Sequence, residues 1–154
     1  MKKRLLVTRR LPDEIQQRAA RDYDAVLNPD DRLYTTDELI SLSREFDAFL
    51  VCLTDKLPRQ AIERLDPRLK VISTFSVGYE HVDAVAAREH GIPVGNAPNG
   101  VTIATAEIAM LLMLGATRRA PEGERMIAAG QWTGGTPMQL LGRRRDGKRR
   151  GIFG

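Results

Sequence analysis

The stretch Lys70-Val-Ile-Ser-Thr-Phe-Ser-Val-Gly-Tyr-Glu-His-Val-Asp83 decides how this chain is read. It opens as a buried strand, breaks at Gly78 and turns into a helix at Val82. A strand end followed by a glycine and a helix start is where open α/β sheets place their ligands, because unpaired backbone N–H groups gather there. The strand itself spans Leu69 to Phe75. The helix from Val82 to His90 has Val85, Ala86 and Val82 facing inward, with Gly91 as its C-terminal cap.

Working outward, strands and helices alternate. Arg4 to Thr8 is a short apolar run and reads as a first strand. Pro12 opens a helix with Asp13 and Glu14 in its first turn and Ile15 and Ala19 inward. Asp24 to Asn28 is a second strand, ended by the turn residues Asn28-Pro29-Asp30. Thr35 and Glu38 match a capping box, so a helix runs through Leu39, Ile40 and Leu42. Phe46 to Cys52 is a third strand. Pro58 begins a short helix carrying Ala61, Ile62 and Leu65, which Asp66-Pro67 stops. Ile92 to Gly95 is a short fifth strand whose proline suits a sheet edge or a strand start. The alternation predicts an α/β fold: a flavodoxin-like or Rossmann-like parallel sheet with helices on both faces.

After residue 100 the character changes. Thr102 to Thr117 is a helix that is apolar nearly all round, a pattern that calls for burial on more than one side. Pro121 starts a short helix with Glu122 and Glu124 near its beginning, ended by Gly130. Gln131 to Gly147 reads as loop, and Gly151-Ile-Phe-Gly154 as the beginning of a new strand.

The 154 residues suffice for a real core, and 42% hydrophobic with 29% charged residues is ordinary for a soluble globular chain. No apolar run approaches a membrane span. The lone cysteine, Cys52, excludes an internal disulfide and suits a reducing cytoplasm. The formal charge of +4 is local: residues 143–150 carry six basic residues and one acid, while the rest holds 18 basic against 19 acidic residues. A basic octamer can touch phosphates. Without aromatic interleaving for base stacking it reads instead as a solvated loop, which argues against a nucleic-acid partner.

Three motifs recur in fixed order: the opening stretch, the run Asn96-Ala-Pro-Asn-Gly-Val-Thr-Ile-Ala-Thr-Ala-Glu107, and the ending Leu140-Leu-Gly…Asp146-Gly-Lys…Gly151-Ile-Phe-Gly154. Together they resemble the D-isomer-specific 2-hydroxyacid dehydrogenases, especially the glyoxylate and hydroxypyruvate reductase branch. That family has a flavodoxin-like substrate domain split around a Rossmann domain that binds NAD or NADP, and it acts as a homodimer. It transfers a hydride between NAD(P)H and a 2-oxo acid or D-2-hydroxy acid. The resemblance implies that the backbone N–H groups of Val77 and Gly78 grip the substrate carboxylate. It also implies that Thr105 lies against the cofactor near its nicotinamide end, and that Gly154 is the first glycine of the cofactor's glycine-rich loop. By the same resemblance, residues 1–100 are the N-terminal part of the substrate domain and 101–130 interdomain helices. Residues 131–154 are then a loop and the first strand of an incomplete cofactor domain.

The departures from the family pattern set a second expectation. The later glycines of the cofactor loop, the residue that reads the ribose, and the family's catalytic arginine, glutamate and histidine all fall beyond Gly154. Some relatives carry an aromatic near position 135, where this chain reads Trp132-Thr-Gly-Gly135. The 154 residues are therefore expected to be inactive and to hold no cofactor by themselves. A non-catalytic domain with weak carboxylate binding is the competing reading, and self-association through Thr102–Thr117 is expected if that helix stays uncovered.

Other candidates carry bland readings. His81 and His90 can each be proposed as an acid/base, but His81 reads as a partly exposed helix-start residue and His90 as the residue before a cap. Two histidines and one cysteine supply no metal ligand set. Cys52 reads as a buried strand residue. Glu80 and Asp83 can hold a cation or cap the helix, capping being the commoner use. Glu107 needs a partner if buried, and Trp132 reads as a packing residue.

Overall fold

The computed structural model describes residues 1–149, 151 and 152. The chain divides into two compact units, Met1–Gly100 and Val101–Gly154. Five strands, β1 (Arg4–Val7), β2 (Asp24–Val26), β3 (Ala48–Val51), β4 (Val71–Thr74) and β5 (Val94–Gly95), form one sheet in the order β2-β1-β3-β4-β5. Every pairing is parallel, and this is the flavodoxin-like order, with its switch point between β1 and β3.

Four helices connect these strands: α1 (Asp13–Asp22), α2 (Thr36–Leu42), α3 (Arg59–Ile62) and α4 (Ala84–Glu89). Alternation along the strands sorts them onto two faces. Leu6, Phe49, Val51 and Ile72 point to the side of Leu39 and Ile40 of α2, Ile62 of α3 and Ala86 of α4. Leu5, Val7 and Ala48 point the other way, onto Leu11 ahead of α1 and Ala19 within it, with Leu50 and Val71 half-buried beside them. The expected helices on both faces are present, three on one side and one on the other.

Local chemistry explains the boundaries. The Thr35 hydroxyl accepts from the Glu38 N–H while the Glu38 carboxylate accepts from the Thr35 N–H at 2.7 Å, a complete capping box for α2. β5 is an edge strand that starts after Pro93, as its proline requires. Gly91 closes α4 with φ +72°, a backbone state that a side chain disfavours.

The structure corrects the helix after the central turn. It begins at Ala84, not Val82, because the Asp83 carboxylate accepts from the Ala86 N–H at 2.8 Å and caps it. Val82 is buried ahead of the helix, bridged to Leu57, whereas Val85 is exposed. Ala86, as expected, and Ala87 are the buried residues of the helix.

The second unit contains α5 (Thr102–Thr117) and α6 (Ala120–Ala128), which contact each other. α5 has the expected boundaries, but none of its residues is buried. The polypeptide after α6 is irregular through Arg149 and at Gly151 and Ile152. Phe153 and Gly154, where the new strand and the first cofactor glycine were expected, lie outside the described residues. No helix among the described residues is long and apolar enough to cross a membrane.

Candidate functional site

The candidate site sits at the C-terminal ends of the parallel strands, where β4 hands over to the Phe75–Tyr79 turn. The Phe75 N–H still donates to the Val51 carbonyl at 2.8 Å, so the sheet ends there. Beyond it, three successive carbonyls are turned to partners within the first unit. Ser76 O accepts from the Ala97 N–H at 2.9 Å, Val77 O from the Asn96 amide at 2.7 Å, and Gly78 O from the Ser76 hydroxyl at 2.6 Å. A trans peptide carries its C=O and N–H on opposite edges. Holding those carbonyls therefore turns the N–H groups of Val77, Gly78 and Tyr79 the other way. Among the described residues none of these three donates to a protein acceptor.

Val77 is exposed and Gly78 half-buried, so the turn lies at the surface. Glu80 supplies an opposing charge: a Cβ on Gly78 would collide with its carboxylate. That carboxylate is the far end of a flexible side chain and can swing aside, so the contact does not require a glycine at 78; the negative charge beside the turn counts against a second anion.

Next to the turn, Arg9, Asp31, Cys52, Thr54 and Phe75 line a cleft of about 300 Å³ at the ends of β1, β3 and β4. Arg9 is locked there, donating to both Asp31 oxygens at 2.8 and 2.7 Å and to the Thr54 hydroxyl at 2.7 Å. Cys52 is half-buried just past β3, not a buried strand residue. Burial and then the Asp55 charge push its thiol up to about 11, so it is no thiolate nucleophile. Asp55 is buried, with one oxygen accepting from the Thr8 hydroxyl at 2.6 Å and the Cys52 N–H at 2.7 Å, and the other without a partner among the described residues.

His81 is the main correction at the site. It is 7% exposed, not a partly exposed helix-start residue, and its Nε2 lies 2.9 Å from the Thr74 hydroxyl. Burial first, and Lys56 second, hold its pKa below the ordinary histidine value, which favours the neutral ring. His90 follows α4 with its Nδ1 on the Ala86 carbonyl. Thr74, Ser76 and Asn96 were not singled out as site residues from sequence. For Thr74 and Ser76 the signal was legible: hydroxyl residues at the end of a buried strand have little reason to be there unless they hold the turn that follows.

Thr105 lies in the first turn of α5, exposed, its N–H on the Val101 carbonyl at 2.8 Å. Glu107 and Trp132 are exposed as well, so neither serves as a packing residue or needs a buried partner. Among the described residues no group of three or more His, Cys, Asp or Glu side chains could hold a metal ion.

The sequence profile of the family described as D-isomer specific 2-hydroxyacid dehydrogenase, catalytic domain, matches residues 5–134. The glycerate dehydrogenase of Hyphomicrobium methylovorum is 46% identical over 153 residues, covering 99% of this chain and 48% of that protein. The glyoxylate reductase of Thermococcus litoralis is 33% identical over 158 residues, covering all of this chain and 47% of that protein. A crystal structure from Polaromonas sp. JS6 66, provisionally named an NAD-binding D-isomer specific 2-hydroxyacid dehydrogenase, superposes with a TM-score of 0.83. Its identity is 37%, over 92% of this chain and 44% of that one. The chain thus spans about half the length of the curated relatives it matches. Profile, relatives and sheet order agree, and the chain belongs to the D-isomer specific 2-hydroxyacid dehydrogenase family.

Proposed function

We propose that this chain supplies the carboxylate-binding side of an oxidoreductase site that transfers a hydride between NAD(P)H and a 2-oxo acid or D-2-hydroxy acid such as glyoxylate or hydroxypyruvate. One observation carries the reading: the carbonyls of Ser76, Val77 and Gly78 are turned to internal partners, and the N–H groups of Val77 and Gly78 have no protein acceptor among the described residues. Successive backbone amides without protein acceptors at a glycine turn suit a small anion, and a 2-oxo acid carries its carboxylate beside the carbonyl to be reduced. The names of the relatives, glycerate dehydrogenase and glyoxylate reductase, point to the same substrate class.

In this reading residues 1–100 are substrate domain, 101–130 interdomain helices and 131–154 the approach to a cofactor domain. Thr105 faces the nicotinamide end of NAD or NADP, and Gly154 begins the phosphate loop. A dinucleotide site needs a strand, a glycine turn and a helix in succession. The described residues after Gly100 contain two helices and no strand. They do not fit the dinucleotide by themselves. The part played by this chain's own residues is to hold the acid so that its carbonyl carbon is correctly placed, and hydride transfer depends on such placement.

Two measurements test this. Residues 1–154 expressed alone are expected to oxidise no NADH or NADPH with glyoxylate or hydroxypyruvate above a blank, and turnover would overturn the division of labour. Glyoxylate titrated into the same chain is expected to shift the Val77 and Gly78 amide resonances. Glu80→Gln should tighten that binding by up to about five-fold by removing a like charge. Shifts elsewhere but not at Val77 and Gly78 would remove the carboxylate reading.

A further inference from the structure

We propose that His81 is a positioning residue for the Ser76–Tyr79 turn, holding the Gly78 carbonyl through Thr74 and Ser76 and so setting the peptide planes that present the carboxylate-binding amides. The proposal rests on the reading of Val77 and Gly78 given above.

Proton counting fixes the direction of the chain of hydrogen bonds. A carbonyl oxygen only accepts, so the Ser76 hydroxyl donates to Gly78 O at 2.6 Å. Ser76 has then spent its single proton and accepts from the Thr74 hydroxyl, 2.5 Å away. Thr74 has likewise spent its proton and accepts from the Nε2–H of His81 at 2.9 Å. The relay runs one way, from imidazole to turn, and requires the tautomer protonated at Nε2. In the other tautomer Nε2 would accept from Thr74, Thr74 would accept from Ser76, and Gly78 O would be released.

The relay also has a fixed anchor. His81 is 7% and Thr74 4% exposed, so a broken link would leave a buried polar group unpaired. The His81 carbonyl accepts from the N–H of the fully buried Leu57 at 2.8 Å, and the Leu57 carbonyl accepts from the Asp83 N–H at 2.9 Å. The backbone from which the imidazole projects is thereby tied to the core. Holding Gly78 O also orients the Tyr79 N–H. Tyr79 joins Val77 and Gly78 as a third N–H of the turn with no protein acceptor among the described residues.

The test compares wild type, His81→Gln, His81→Leu and Ser76→Ala in the 154-residue chain by backbone amide spectra, first without ligand and then with glyoxylate. Glutamine restores an N–H donor near the position of Nε2, and leucine fills the space without one. His81→Gln is expected to leave the Val77, Gly78 and Tyr79 resonances near their wild-type positions and glyoxylate affinity within about two-fold. His81→Leu and Ser76→Ala are expected to move those resonances and to weaken glyoxylate by about ten-fold, the worth of one such hydrogen bond. Should the leucine variant not fold, the half-exposed Ser76 gives the same comparison. Leucine or alanine variants with unmoved amides at 77–79 would overturn the proposal, and so would a glutamine variant as perturbed as the leucine one. A wild type whose Val77 and Gly78 ignore glyoxylate overturns the carboxylate reading alone, because the ligand-free spectra decide the relay independently.

Discussion

Asp31 sits at φ +51°, a left-handed state that Asp and Asn tolerate, with its carboxylate in the fork of Arg9. The Arg9 hydrogen bonds, followed by the one from the Arg10 N–H, hold its pKa well below the usual carboxylate range. A depressed folded-state pKa contributes stability above the unfolded value of about 3.9 and loses it as pH falls through the folded value. Asp31→Asn keeps the backbone preference and removes the titration. The variant's urea midpoint should therefore fall less than that of wild type between about pH 5 and pH 2; parallel acid limbs would sink the assignment. Asp55 is a different case, buried and accepting from Thr8 and Cys52. Asp55→Ala should cost about 2 kcal/mol in urea denaturation by stranding both donors. Asp55→Asn should cost clearly less, since its amide oxygen still accepts from both; equal losses would mean that packing dominates. Neither residue was picked out in the linear reading, because Arg9 and Asp31 come together only when the ends of β1 and β2 do.

At the scale of elements, caps and turn residues were legible and lengths less so. Thr35 with Glu38, Pro93 at an edge strand and Gly91 after α4 are local chemistry, and each is found where the sequence put it. The start of α4 was misplaced because two acids, Glu80 and Asp83, competed to cap it, and only the bridge between Val82 and Leu57 favours Asp83. α5 presents the opposite problem: its boundaries were readable but its burial was not. Ile108, Leu111 and Leu112 are all more than half exposed on a helix with no polar face. Water-facing apolar area of that kind drives self-association. Light scattering of the 154-residue chain should show a mass that rises with concentration, and a Leu111→Glu, Leu112→Glu variant should reduce the rise. A concentration-independent monomer mass in the unaltered chain would count against this.

At the scale of the whole molecule, both core clusters draw, among the described residues, only on residues up to Val94. The first unit thus contains everything its sheet needs, and residues 1–100 alone should unfold cooperatively. Their amide spectrum should overlay that of the longer chain away from residue 100; a poorly dispersed spectrum would show that the second unit is needed to complete the fold. The sequence by itself determined the α/β class, the order of elements, the caps and the Val77-Gly78 turn, because hydrophobic period, turn residues and capping pairs act over a few neighbouring positions. Only the tertiary structure decided that the carbonyls of the turn are held by Ser76, Asn96 and Ala97, and that His81 is buried against Thr74. It also decided that Arg9 meets Asp31 across the strand ends. These partners lie apart in the sequence or across a turn, and their pairing follows from parallel strands ending at one edge. No local periodicity records that convergence.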